Sequence, residues 1–80
     1  MLITFPNDGR KLKKLIMGLL KSHLATSIIR LNYAQSYTLF SDQKKIEKSD
    51  LKLIKIETDK SDQVQAFLTK NFPEYSIFSF

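Results

Sequence analysis

The stretch from Thr26 to Thr58 constrains this chain more than any other, because two long β-prone runs there flank the polar tip Ser41-Asp42-Gln43-Lys44. At about 3.3 Å per residue, a strand from Ser27 to Phe40 extends roughly 45 Å. A compact domain of this size has a radius of gyration of only about 12 Å. The hairpin therefore has to bend or to project beyond the core from which it starts. A two-stranded ribbon standing alone is marginal in water, so a second subunit is its simplest cover.

Size and composition sharpen that expectation. Eighty residues make one domain, spanning residues 1–80, and so short a chain buries only about 60% of its extended surface on folding. No cysteine is present to cross-link it, and a small secreted domain would more often use disulfides, so a reducing, cytoplasmic setting is expected. No apolar run approaches the roughly 18 residues of a membrane helix, and Met1-Leu2-Ile3-Thr4-Phe5 lacks the charged start and long apolar centre of a signal peptide. The reading is a soluble protein with no membrane partner.

Along the chain, Met1 to Phe5 is short and β-compatible. Pro6-Asn7-Asp8-Gly9 supplies a turn in which Asn7 or Asp8 is placed to cap a helix. Leu12, Leu15, Ile16, Leu19, Leu20 and His23 then follow the spacing of one buried helical stripe, with Arg10, Lys13, Lys14 and Lys21 mainly opposite. Gly18 inside that helix costs about 1 kcal/mol relative to Ala, which suggests close packing on a sheet. From Thr26 the period changes to two: Ile28, Arg30 and Asn32 alternate with Ile29, Leu31 and Tyr33, and strand character continues through Phe40.

The return strand runs from Ile46 into Leu51-Lys52-Leu53-Ile54-Lys55-Ile56, and its polar interruption at Lys48-Ser49-Asp50 reads as a bulge. Thr58, Asp59 and Ser61 are candidate caps for a second helix, whose Val64, Phe67, Leu68 and Phe72 repeat until Pro73 ends the run. Tyr75 to Phe80 reads as a last strand, with Phe78 and Phe80 on one side. The order β-α-β-β-α-β predicts an α+β fold of ferredoxin-like type, with both helices on one face of a four-stranded antiparallel sheet and an extended β2-β3 hairpin.

The inventory of chemistry is thin. His23 is the sole histidine, and no His, Asp or Glu cluster has transition-metal spacing, so no metal site or other cofactor is expected. A lone His on an apolar stripe reads as a packed or capping residue. Hydroxyls at Thr26, Ser27, Ser36 and Thr38 have no adjacent base to activate them, and the chain reads as non-enzymatic. An acyl-phosphate hydrolase would place an Arg in a phosphate-cradling loop after the first strand, near Arg10, but the glycines that wrap a phosphate are missing.

A net charge of +5 and a pI near 9.6 invite a nucleic-acid reading. Arg10, Lys13, Lys14 and Lys21 are its candidate contacts, and it stands as the alternative to a protein-interaction role. The aromatic-glycine signature of RNA-recognition strands is absent. Tyr33, Tyr37 and Phe40, with Ile46, Phe78 and Phe80, instead suit an oligomer interface, where aromatic residues bury large area with few rotors.

Short segments along the whole chain carry a family likeness. They are Ile3-Thr4-Phe5-Pro6, Leu24-Ala25, Ser36 with Phe40, Lys44-Lys45-Ile46-Glu47, Ile54-Lys55 and Phe72-Pro73-Glu74-Tyr75. In these the chain resembles the CutA divalent-cation tolerance proteins, which combine a ferredoxin-like core with a very long hairpin and assemble as trimers. The resemblance implies a homotrimeric binding or signalling protein linked to divalent-cation tolerance, with clefts between subunits for an ion, small anion or protein partner. Ser27, Lys55 and Tyr75 are the expected lining of such a cleft. The family's Cys discussed as a copper ligand stands here as Ser27, its His as Phe72 and its Trp as Phe40. Neither hydroxyl nor phenyl holds copper well, so divalent metal binding should be weak or absent. The family's last short strand and C-terminal helix have no counterpart in these 80 residues.

Overall fold

The computed structural model describes residues 1–40, 42 and 45–79. The tip residues Ser41, Gln43 and Lys44, and Phe80 of the expected interface, lie outside the described residues. Six elements follow in order: β1 (Leu2–Pro6), α1 (Gly9–Lys21), β2 (Ser27–Phe40), β3 (Lys45–Glu57), α2 (Ser61–Asn71) and β4 (Ser76–Ser79). The strands form one antiparallel sheet in the order β2-β3-β1-β4. The fold is α+β.

Pairing explains where the core sits. Residues directly opposite across a ladder share a face, and Ile3 lies opposite Ile54 while Phe5 and Ile56 continue the same side. These four are wholly or almost wholly buried, together with Leu12, Leu15 and Leu19 of α1, Val64 and Leu68 of α2, and Ala25. They make one cluster, so both helices cover the same side of the sheet. Burying each large apolar side chain contributes about 1.5–3 kcal/mol. The ring of Phe5 meets Phe72 edge-on at 6.3 Å.

Local chemistry sets the ends of the helices. Asp8 caps α1, its Oδ1 accepting from the Lys11 amide at 3.1 Å. At the other end His23 takes φ 60°. Its amide donates to the Leu20 carbonyl, and the Leu24 amide donates to the Leu19 carbonyl at 3.0 Å. This pattern closes a helix through a left-handed residue. His23 is thus exposed and outside the buried stripe, because the turn consumes its backbone and aims its side chain at solvent.

Three further expectations change. Gly18 does face a close neighbour, but that neighbour is α2: a Cβ there would stand 2.9 Å from Cζ of Phe67. Lys60 is the N-cap of α2 and makes no side-chain cap bond. Thr58 instead ties the preceding loop, accepting from the Lys60 amide and donating to the Leu24 carbonyl.

The irregularity in the hairpin also moves. Lys48, Ser49 and Asp50 pair in register with Tyr37, Ser36 and Gln35, and the slip falls in β2 between Leu31 and Ala34. The extra residue puts both Leu31 and Ala34 on the face shared with Leu53 and Leu51, and sends Tyr33 into solvent at 99% exposure. Arg30 Nε bonds Asn32 Oδ1 at 2.7 Å, and Lys52 Nζ bonds the Asn32 carbonyl at 3.2 Å. These bonds hold the bulge. Polar residues at 48–50 need no bulge, since backbone pairing is indifferent to side chains that point to water.

The hairpin extends well past the helices. Its ladder runs from Ser27 opposite Glu57 to Phe40 opposite Lys45. The molecule measures 44 × 22 × 19 Å with a radius of gyration of 13.7 Å, larger than the about 12 Å of a compact chain of this length.

Candidate functional site

Three surfaces stand out. The first is the sheet face that no helix covers. Alternation places Leu2 and Thr4 of β1, Ile29, Leu31 and Ala34 of β2, and Leu51, Leu53 and Lys55 of β3 on that side. Ile29 and Leu31 are about half exposed. A groove of about 680 Å³ lies along it, walled by Thr4, Ala34, Ser36, Leu51, Leu53 and the β4 residues Ser76 to Phe78. Leucines and hydroxyls together make it a seat for apolar side chains with a few hydrogen bonds. A second, more polar hollow of about 580 Å³ sits at the bulge, between Asn7, Asn32, Tyr33, Asp50 and Lys52.

The second surface is the distal ribbon. Leu39 and Ile46 face each other across the strands and are 66% and 67% exposed. Tyr37 lies next on the same side, its hydroxyl 3.2 Å from Gln35 Oε1, and Phe40 is on the other side. Of the large apolar residues that reach solvent among the described residues, all except Met17 belong to the hairpin or to β4. Every expected interface residue inside the described region, namely Tyr33, Tyr37, Phe40, Ile46 and Phe78, is exposed. Sequence reasoning passed over Leu39, Leu51 and Leu53, although the period-two spacing of the two leucines on β3 was their signal.

The expected cleft residues are not gathered within one chain. Ser27 opens β2 opposite Glu57, and Lys55 lies on the uncovered sheet face between Ile29 and Leu2. Tyr75 is half-buried beside the core before β4, with its hydroxyl 3.0 Å from Thr69 Oγ1. None of the three borders either hollow.

The third surface is the outer side of α1, where Arg10, Lys13, Lys14 and Lys21 are all exposed. Lys11 differs, for its Nζ bonds Glu74 Oε1 at 2.8 Å. That bond and the attraction of the Glu74 charge raise the Lys11 pKa above its ordinary value. The same bond holds the Glu74 carboxyl below the ordinary carboxylate range.

Among the described residues, no polar or charged side chain is fully buried, and no three His, Asp or Glu side chains gather as a metal site. Among the described residues no helix is long and apolar enough to cross a membrane. Compared with known families and curated proteins, the chain matches no family model and no curated sequence.

Proposed function

We propose that this protein is a CutA-like, ferredoxin-like binding or signalling module that works as a homotrimer, without catalysis, in a role linked to divalent-cation tolerance. The carrying observation is the ribbon, a two-stranded hairpin that beyond its bulge leaves the helices behind and keeps Leu39, Ile46 and Tyr37 in solvent. An isolated ribbon of that kind is marginal, and exposed apolar surface of that extent marks an association site. The strand order β2-β3-β1-β4, with two helices on one side, supports the ferredoxin-like assignment.

In this reading the ribbon of one copy covers the uncovered sheet face of the next, and Ser27, Lys55 and Tyr75 come together only between copies. Molar mass by light scattering across a dilution series tests it. The expected result is a persistent mass of about three chains. A folded monomer at every concentration would remove the proposal.

A further inference from the structure

The whole net charge of this protein sits on one helix. Five of the thirteen Lys and Arg residues lie within α1 and none of the eight Asp and Glu does, so the other eight basic residues balance the eight acids and α1 carries the net +5. At about 100° per residue, Arg10, Lys14, Met17 and Lys21 line a single stripe with Lys13 beside it. The stripe points away from Leu12, Leu15 and Leu19, which occupy the core. Its residues are all exposed, Met17 at 41%. Among the described residues, none of these four cations has an ion-pair partner.

The stripe works against the fold that carries it. Cations in the first turns oppose the helix dipole, and like charges three and four residues apart, as at Arg10, Lys13 and Lys14, repel. Asp8, the cap, is the nearest acid in sequence. Lys21, in the last turn, suits the dipole and Lys11 is paired with Glu74, but Arg10, Lys13 and Lys14 gain no ion pair among the described residues, and their favourable partner is a dense polyanion outside the chain.

We infer that the outer face of α1 binds the phosphate backbone of double-stranded nucleic acid without reading its sequence. Arg10, Lys14 and Lys21 span about 16 Å along the helix axis, and a duplex offers one negative charge per about 1.7 Å of its own axis. The stripe has no aromatic side chain on which the bases of a single strand would stack. Insertion into a membrane surface needs an apolar helix face, and the apolar face of α1 is spent on the core, leaving Met17 alone. The stripe belongs to neither surface that the proposed assembly uses, the uncovered sheet face and the ribbon at Leu39, Ile46 and Tyr37. Failure of either proposal is therefore seen separately, one in molar mass and the other in duplex binding.

The test is fluorescence anisotropy of a labelled mixed-sequence DNA duplex of about 20 bp, titrated with the full chain across a salt series. Four phosphate contacts give a slope of log K against log salt of about −3 to −4. The triple variant Arg10→Gln, Lys14→Gln, Lys21→Gln should bind at least about 30-fold more weakly at low salt, with a slope near −1. A control with the same loss of charge on exposed residues elsewhere, Lys48→Gln, Lys60→Gln, Lys70→Gln, should change affinity by less than about 3-fold. Circular dichroism verifies that both variants remain folded. Equal weakening by the two triples would overturn the inference, because net charge and not the stripe would then govern binding. So would absence of duplex binding by the parent chain, or tighter binding to phosphatidylserine vesicles than to the duplex.

Discussion

Strand β3 contains two regions of opposite fate. Ile54 and Ile56 are wholly buried, whereas Ile46, on the same strand, is two-thirds exposed. Residue type does not separate them, and neither does backbone pairing, since each has a partner on β2. The separation comes from what lies over the ladder: α1 and α2 roof the proximal half, and among the described residues nothing covers Leu39 and Ile46 in the distal half. Apolar side chains commit a strand to being covered, but the connections decide which stretch is covered from within.

The largest expected effect falls on the roofed half. Phe5→Ala should cost about 3–5 kcal/mol of unfolding free energy, read by urea titration at fixed protein concentration. Phe5 is 1% exposed and its ring meets Phe72, so a loss below about 1 kcal/mol would mean the roof is not packed as described. A smaller change of opposite sign comes from the end of α1. His23→Gly should stabilise by about 0.5–1 kcal/mol, raising the thermal midpoint by a few degrees, because φ 60° strains any residue with a Cβ.

The ribbon should respond differently. Leu39→Ser combined with Ile46→Ser should cost less than about 1 kcal/mol in unfolding of the single chain, while reducing the mass seen by light scattering from the three chains of the proposed trimer toward one. A large loss of single-chain stability would erase the contrast between the two halves.

The smallest effect belongs to the Lys11–Glu74 pair. Glu74 has a lowered pKa, so its contribution is present above the unfolded value and is lost as pH falls through the folded one. Lys11 has a raised pKa, so its contribution is full below the unfolded value and is lost as pH rises through the folded one. Both side chains face solvent and are screened. Glu74→Gln should therefore leave the neutral-pH midpoint almost unchanged and only flatten its decline in acid, as followed by melts from about pH 3 to pH 7.

Much of this was legible before any coordinates. The limits of β2, a cap at Asn7 or Asp8 and the apolar stripe Leu12-Leu15-Leu19 follow from periods of two and 3.6 and from turn chemistry, all of which act over a few residues, and the structure selects Asp8. The exposed aromatic residues of the ribbon were legible for a related reason, since a hairpin of that length has to outrun so small a core. The Arg10-Lys14-Lys21 stripe needed only the helical period. That α1 holds the entire net charge is likewise a property of the sequence.

Other features depend on partners distant in the chain. Gly18 answers to Phe67, on a helix that comes after the whole hairpin. The bulge falls at Asn32 and Tyr33 because it sets Leu31 and Ala34 opposite Leu53 and Leu51, while the polar run at Lys48 to Asp50 simply pairs through. Thr58 became a loop tie because Leu24 presents a carbonyl to it. Local sequence determined the elements, their limits and where the charge accumulates, because these depend on neighbours within a turn or two. Only the tertiary structure decided which apolar face is roofed and which stays exposed, because burial is a property of contacts between elements and not of the residues that make them.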